Sequence, residues 1–173
     1  EHDVDSRFQL GVTLRRLGRL AAADAAFEGV ATRDPSYSGL ALERGRVFED
    51  RNMPDRAVAS YARALEEAPD DLDLKLRLGA ARAAAGQLGA AETILREVLA
   101  ERPLSAETLH FLGRVEFDRG RIQEAAQLFG QAVNNDPSVA TFHAYRGWAA
   151  LLQNDLPIAN QSAEAALTRE PTL

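Results

Sequence analysis

The chain has no cysteine, which excludes disulfides and thiolate metal sites. Aromatic residues make up only 6% of it, against 46% hydrophobic overall, which suits an alanine-rich helical array. No apolar run approaches the roughly 20 residues that span a bilayer, so no transmembrane helix is expected. Positive charge is short as well. Lys75 is the only lysine, and 20 basic against 26 acidic residues leave a net charge of −6. That balance argues against a general nucleic-acid binder and against a basic helix lying on a membrane. Histidine occurs three times, as His2, His110 and His143, never as the helically spaced pair with a carboxylate that a zinc site needs. There is no glycine-rich phosphate loop, no signal peptide and no catalytic constellation. The expectation is a non-enzymatic protein without cofactor or metal.

What the chain does have is a period. Proline recurs at Pro35, Pro69, Pro103, Pro137 and Pro171, glycine at Gly11, Gly45, Gly79, Gly113 and Gly147, and alanine at Ala23, Ala57, Ala91, Ala125 and Ala159. The interval is 34 residues in every column, and a fixed period of this size marks a solenoid. Residues 106–139 show the unit: two amphipathic helices around a tight turn. Leu109, Leu112 and Val115 mark the first helix (A), and Ala125, Leu128, Phe129 and Ala132 the second (B). Neither half buries its stripe alone, so the unit needs neighbours.

Other columns refine the expectation. The turn between the helices carries Gly18, Asn52, Gly86, Gly120 and Asn154. Only glycine and asparagine occur there, as a left-handed residue closing helix A requires. The glycine inside each helix A costs about 1 kcal/mol against alanine, which implies close approach of another helix. The alanine column of helix B is the expected opposing surface. Pro54 and Pro157 fall where a first helical turn tolerates them. Ser38, Ser105 and Ser138 are expected N-caps, residues 1–3 a polar lead-in, and the acidic run Glu66 to Asp73 a solvated turn favouring the next helix N-terminus.

With leucine, glycine, alanine, aromatic and proline at these offsets, the whole chain resembles a tetratricopeptide repeat (TPR) array. Its five units are 4–37, 38–71, 72–105, 106–139 and 140–173. The resemblance implies a single all-α domain, a right-handed superhelical solenoid of antiparallel helix pairs. The chain departs from the family at the large positions. Arg7, Ala41, Lys75 and His143 stand where tryptophan is typical, and Ala163 closes the aromatic column of Phe27, Tyr61, Leu95 and Phe129. The fifth repeat is therefore expected to be lightly packed. The chain is expected to be a piece of a longer protein, so it does not identify a compartment.

In the family, helix A lines a concave groove. Carried over, this places Arg46, Arg77 and Arg114 in a basic ladder, Phe111, Phe117, Tyr145 and Trp148 in an aromatic wall, and His110 beside that wall as a source of pH sensitivity. Guanidinium groups next to aromatic surface suit an acidic, hydrophobic peptide. Two plainer readings stay open: Arg46 and Arg77 pair with Glu43 and Asp73, and Trp148 and Tyr145 meet a following repeat. The carboxylate clamp that some family members use for chaperone tails is not matched. Its places hold Phe8, Val12, Glu43, Asp73 and Arg77, of which only Arg77 fits. The expected function is a bacterial protein-interaction scaffold holding a partner peptide or helix in its groove. The alternatives are self-association through open repeat ends, or an array that positions substrate for an enzyme domain elsewhere in the parent chain.

Overall fold

The five turn positions restricted to glycine and asparagine all lie at positive φ: Gly18 at 71°, Asn52 at 54°, Gly86 at 74°, Gly120 at 79° and Asn154 at 60°. Four of these turns are closed by the same two hydrogen bonds. Gly18 N–H donates to Arg15 O and Arg19 N–H to Leu14 O, each at 2.9 Å, and the pattern recurs at Asn52, Gly120 and Asn154. Both bonds satisfy carbonyls that a helix end would leave orphaned.

The computed structural model describes residues 2–172, with only the backbone of His2. Among the described residues there are ten α-helices and no strand. They are α1 (His2–Arg16), α2 (Leu20–Arg33), α3 (Leu40–Asp50), α4 (Pro54–Glu67), α5 (Leu72–Ala84), α6 (Leu88–Glu101), α7 (Ala106–Asp118), α8 (Ile122–Asn135), α9 (Ala140–Leu152) and α10 (Leu156–Arg169). Every helix B stops two residues before a proline. The caps Asp34, Ala68, Arg102, Asp136 and Glu170 all take extended φ and positive ψ, because the following pyrrolidine ring excludes the helical region.

Several local expectations are corrected. Helix α1 begins at His2, so residues 2 and 3 are helical, not a lead-in. Ser105 does cap α7, accepting from Thr108 N–H. Ser38 and Ser138 do not cap. Gly39, at φ 77°, is the N-cap of α3, and Val139 is that of α9. Ser138 instead donates from its backbone N–H and its hydroxyl to Asp136 Oδ1, which lowers the Asp136 pKa. In the acidic run, Asp71 takes the cap, accepting from the N–H groups of Asp73 and Leu74.

The helices gather into two compact units, α1–α5 and α6–α10, divided between Ala85 and Gly86. In the first, Phe27, Val30, Leu40 and Val47 form a buried cluster supported by Val4, Phe8 and Val12. In the second, Leu109, Ala132, Val133 and Phe142 form one cluster, and Ala125, Phe129 and Ala149 another. Three of the helix A glycines, Gly11, Gly45 and Gly113, face the aromatic column of helix B most closely, not the alanine column. A Cβ at Gly11 would lie 2.6 Å from the Phe27 ring, at Gly45 2.5 Å from Tyr61, and at Gly113 2.6 Å from Phe129. The missing methyl admits a fully buried ring, and each such ring contributes about 2–3 kcal/mol of apolar burial. Gly147 differs, because the column holds Ala163 there. Its nearest neighbours would be Ser162 Cβ at 3.2 Å and the Ala159 carbonyl oxygen at 3.4 Å.

Candidate partner-binding surface

Helix α7 presents Phe111, Arg114 and Phe117 at spacings of three, which sets them on one face, and α9 presents Tyr145 and Trp148 in the same way. The second unit brings these residues together. The Trp148 ring lies 5.4 Å from Phe117 and 6.1 Å from Tyr145, centroid to centroid. Beneath them, fully buried Phe129 touches Tyr145 at 5.4 Å and Phe117 at 6.4 Å. These separations are ordinary for tilted aromatic pairs. The wall is anchored from below and open above. Phe111, Phe117 and Tyr145 are half-buried, while Trp148 is 55% exposed.

The arginines of the ladder differ in what holds them. Arg114 sits over two rings of the wall, 5.4 Å from the Tyr145 centroid and 5.9 Å from Phe111, and joins no ion pair among the described residues. Arg46 and Arg77 belong to the first unit and are paired. Arg46 donates to Glu43 at 2.6 Å, the same carboxylate that receives Arg15 at 3.2 Å. Arg77 reaches Glu49 at 3.4 Å, and Glu49 also accepts from the Tyr61 hydroxyl. Burial and that hydrogen bond raise the Tyr61 pKa, so the phenol stays protonated.

His110 lies behind the wall. It is 5% exposed, and its ring stands 4.9 Å from Phe142, 5.0 Å from Tyr145 and 5.4 Å from Phe111. Its Nδ1 is buried without a hydrogen-bond partner among the described residues. Burial, then the nearby Arg114 charge, push its pKa down to about 4. The expected pH sensitivity near the ordinary histidine range is therefore corrected: at neutral pH His110 is an uncharged packing residue.

Beside Trp148, α9 and α10 border an open cleft of about 430 Å³, lined by Ala144, Leu151, Ala163 and Leu167. The space follows from Ala163 standing where the larger Phe27, Tyr61, Leu95 and Phe129 fill the other pairs. The column signalled light packing, but not a cleft continuous with the wall.

Stacked antiparallel helix pairs presenting side chains of helix A define a helical-repeat scaffold. The family sequence model described as "Tetratricopeptide repeat" matches residues 48–115 and 82–149, two windows offset by one repeat, and a second of the same description matches 4–37. The chain belongs to the tetratricopeptide repeat family, whose members are typically non-enzymatic protein-interaction scaffolds. Protein FlbA of Caulobacter vibrioides is 23% identical over 158 residues, 91% of this chain and 26% of that protein. The TPR repeat-containing protein PA4667 of Pseudomonas aeruginosa is 26% identical over 160 residues, 91% of this chain and 27% of that protein. The chain thus spans about a quarter of the length of these curated relatives. Among solved structures, MamA from Desulfovibrio magneticus RS-1 aligns with a TM-score of 0.79 at 18% identity, covering 99% of this chain and 97% of that one. TTC0263, a TPR protein of Thermus thermophilus, aligns at 0.77 with 20% identity, covering 98% and 92%. These likenesses concern the fold.

Proposed function

We propose that this scaffold holds a partner peptide or helix against the wall formed by Phe111, Phe117, Tyr145 and Trp148, with a partner carboxylate at Arg114. The observation that carries the reading is the half-exposed Trp148, braced by Phe117 and Tyr145 beside an arginine in no ion pair among the described residues. A ring already fixed by its neighbours loses little rotamer freedom when an anchor packs on it, so burial of its exposed face translates well into affinity. The Arg114 guanidinium, placed over two rings and in no ion pair among the described residues, is available for bidentate pairing. Arg46 and Arg77 contribute less, because a partner must compete with Glu43 and Glu49 for them.

The test takes a partner captured from a lysate of the source cells and titrates it by calorimetry against wild type, W148A and R114A at low and high salt. W148A is expected to cost about 2 kcal/mol or more. R114A is expected to cost less and to flatten the salt dependence. Folded variants that both bind like wild type refute the assignment. Self-association is the second reading, favoured by the open apolar cleft between α9 and α10. Sizing across a dilution series separates it, since only self-association makes the apparent mass concentration-dependent.

A further inference from the structure

A second cleft opens in the first unit, among α2, α3 and α4. It measures about 450 Å³, and its lining includes Arg44, Arg56 and Arg63 with Ser60 and a single carboxylate, Glu28. Phe48, 4% exposed, forms the base. Arg44 and Arg56 lie 5.7 Å and 5.5 Å from its ring centroid, so the ring helps hold both guanidinium groups in place. The charges are only partly satisfied. Arg44 donates to Glu28 at 2.7 Å, but its Nε is buried without a hydrogen-bond partner among the described residues. Arg63 donates to the Pro35 carbonyl. Arg56 joins no ion pair among the described residues.

The repeat supplies an internal control. One cleft of the same register lies in the second unit, with a volume of about 330 Å³. There Leu112 stands in register with Arg44, Glu124 with Arg56 and Gln131 with Arg63, while Arg96 matches Glu28. Elsewhere the Arg56 and Arg63 register positions hold Ala22 and Gly29, Ala90 and Glu97, and Ile158 and Ala165. The fold does not require arginine at these positions. Three converge on one cleft of a protein whose net charge is −6.

We infer that this cleft is a binding site, separate from the aromatic wall, for an acidic segment of a protein partner. Two guanidinium forks held by one ring suit a pair of carboxylates, and Leu40, Ala41 and Ala59 give an apolar side chain between them a wall to rest on. In water a single surface pair contributes little, so affinity comes from two or more carboxylates engaged at once.

The probe is a fluorescein-labelled Glu-Glu-Leu-Glu-Glu peptide, followed by anisotropy at low salt with inorganic pyrophosphate as a competitor. R56E and R63Q introduce side chains that the register-equivalent cleft accommodates, and circular dichroism verifies that they fold. The control is R96E, the same charge change as R56E on an exposed side chain of the second unit. The site predicts saturable binding, at least tenfold weaker in R56E and several-fold weaker in R63Q, with R96E close to wild type. Pyrophosphate should compete only at much higher concentration. Any of four results overturns the inference: no peptide binding, equal losses in R56E and R96E, loss in R114A with none in R56E, or pyrophosphate binding more tightly than the peptide.

Discussion

At the residue scale the glycine column makes the sharpest distinction. Gly113 and Gly147 occupy the same register position, yet one faces a ring and the other an alanine-bearing helix. Gly113→Ala drives a methyl to 2.6 Å from Phe129 and is expected to cost about 2–3 kcal/mol through overpacking. Gly147→Ala meets nothing closer than 3.2 Å and regains about 1 kcal/mol of helix propensity, so it is expected to be near neutral. Urea denaturation of both variants checks the pair, and equal losses would contradict the packing described. His110 makes a second prediction. Its folded pKa, about 4, lies below its ordinary 6.5. Between those values the unfolded chain takes up a proton that the folded chain refuses. The stability it contributes is present above pH 6.5 and lost as the pH falls toward 4, by up to about 3 kcal/mol. Relative to H110F, wild type should lose stability between about pH 7 and pH 4.5 in urea titrations. Parallel losses would place the imidazole in water.

At the element scale, the sequence was most informative where the backbone itself imposes the rule. Positive φ at Gly18, Asn52, Gly86, Gly120 and Asn154 can be satisfied by few residues, so the column is visible without coordinates. The pre-proline caps are legible for the same reason. Side-chain direction is less so. Spacing placed a glycine opposite helix B but named the wrong column, because which side chain crosses the gap depends on helix rotation. His110 sits at the edge of the groove-facing stripe, where a small rotation separates wall from core. Arg46 with Glu43 is an i, i+3 pair and was readable, whereas Arg77 with Glu49 joins residues 28 apart. The cleft at Arg44, Arg56 and Arg63 went unread because two of its arginines lie on helix B, outside the groove-facing stripe. Comparing the repeats position by position would have exposed it. Within the second unit, α10 packs through Ala159, Ser162 and Ala166, whereas α8 buries Phe129. Hydrogen exchange is accordingly expected to be fastest in α10 and slowest in α7 and α8. Uniform protection, in a chain shown to be monomeric, would contradict that gradient.

At the scale of the whole molecule, repeated helix pairs supply rigid positions and the variable columns supply chemistry. The aromatic wall belongs to one unit and the arginine cleft to the other, so each can be disabled with the other intact. No helix among the described residues is long and apolar enough to cross a membrane. The wall also contains its own reporter, since Trp148 is the only tryptophan. Replacing it with 5-fluorotryptophan gives a single fluorine resonance that responds to burial, whatever tryptophans a partner carries. Titration with a captured partner should shift that resonance saturably and remove its dependence on solvent deuteration, with the same midpoint as calorimetry. A resonance unchanged at saturating partner would mean that binding bypasses the wall, contradicting the central claim.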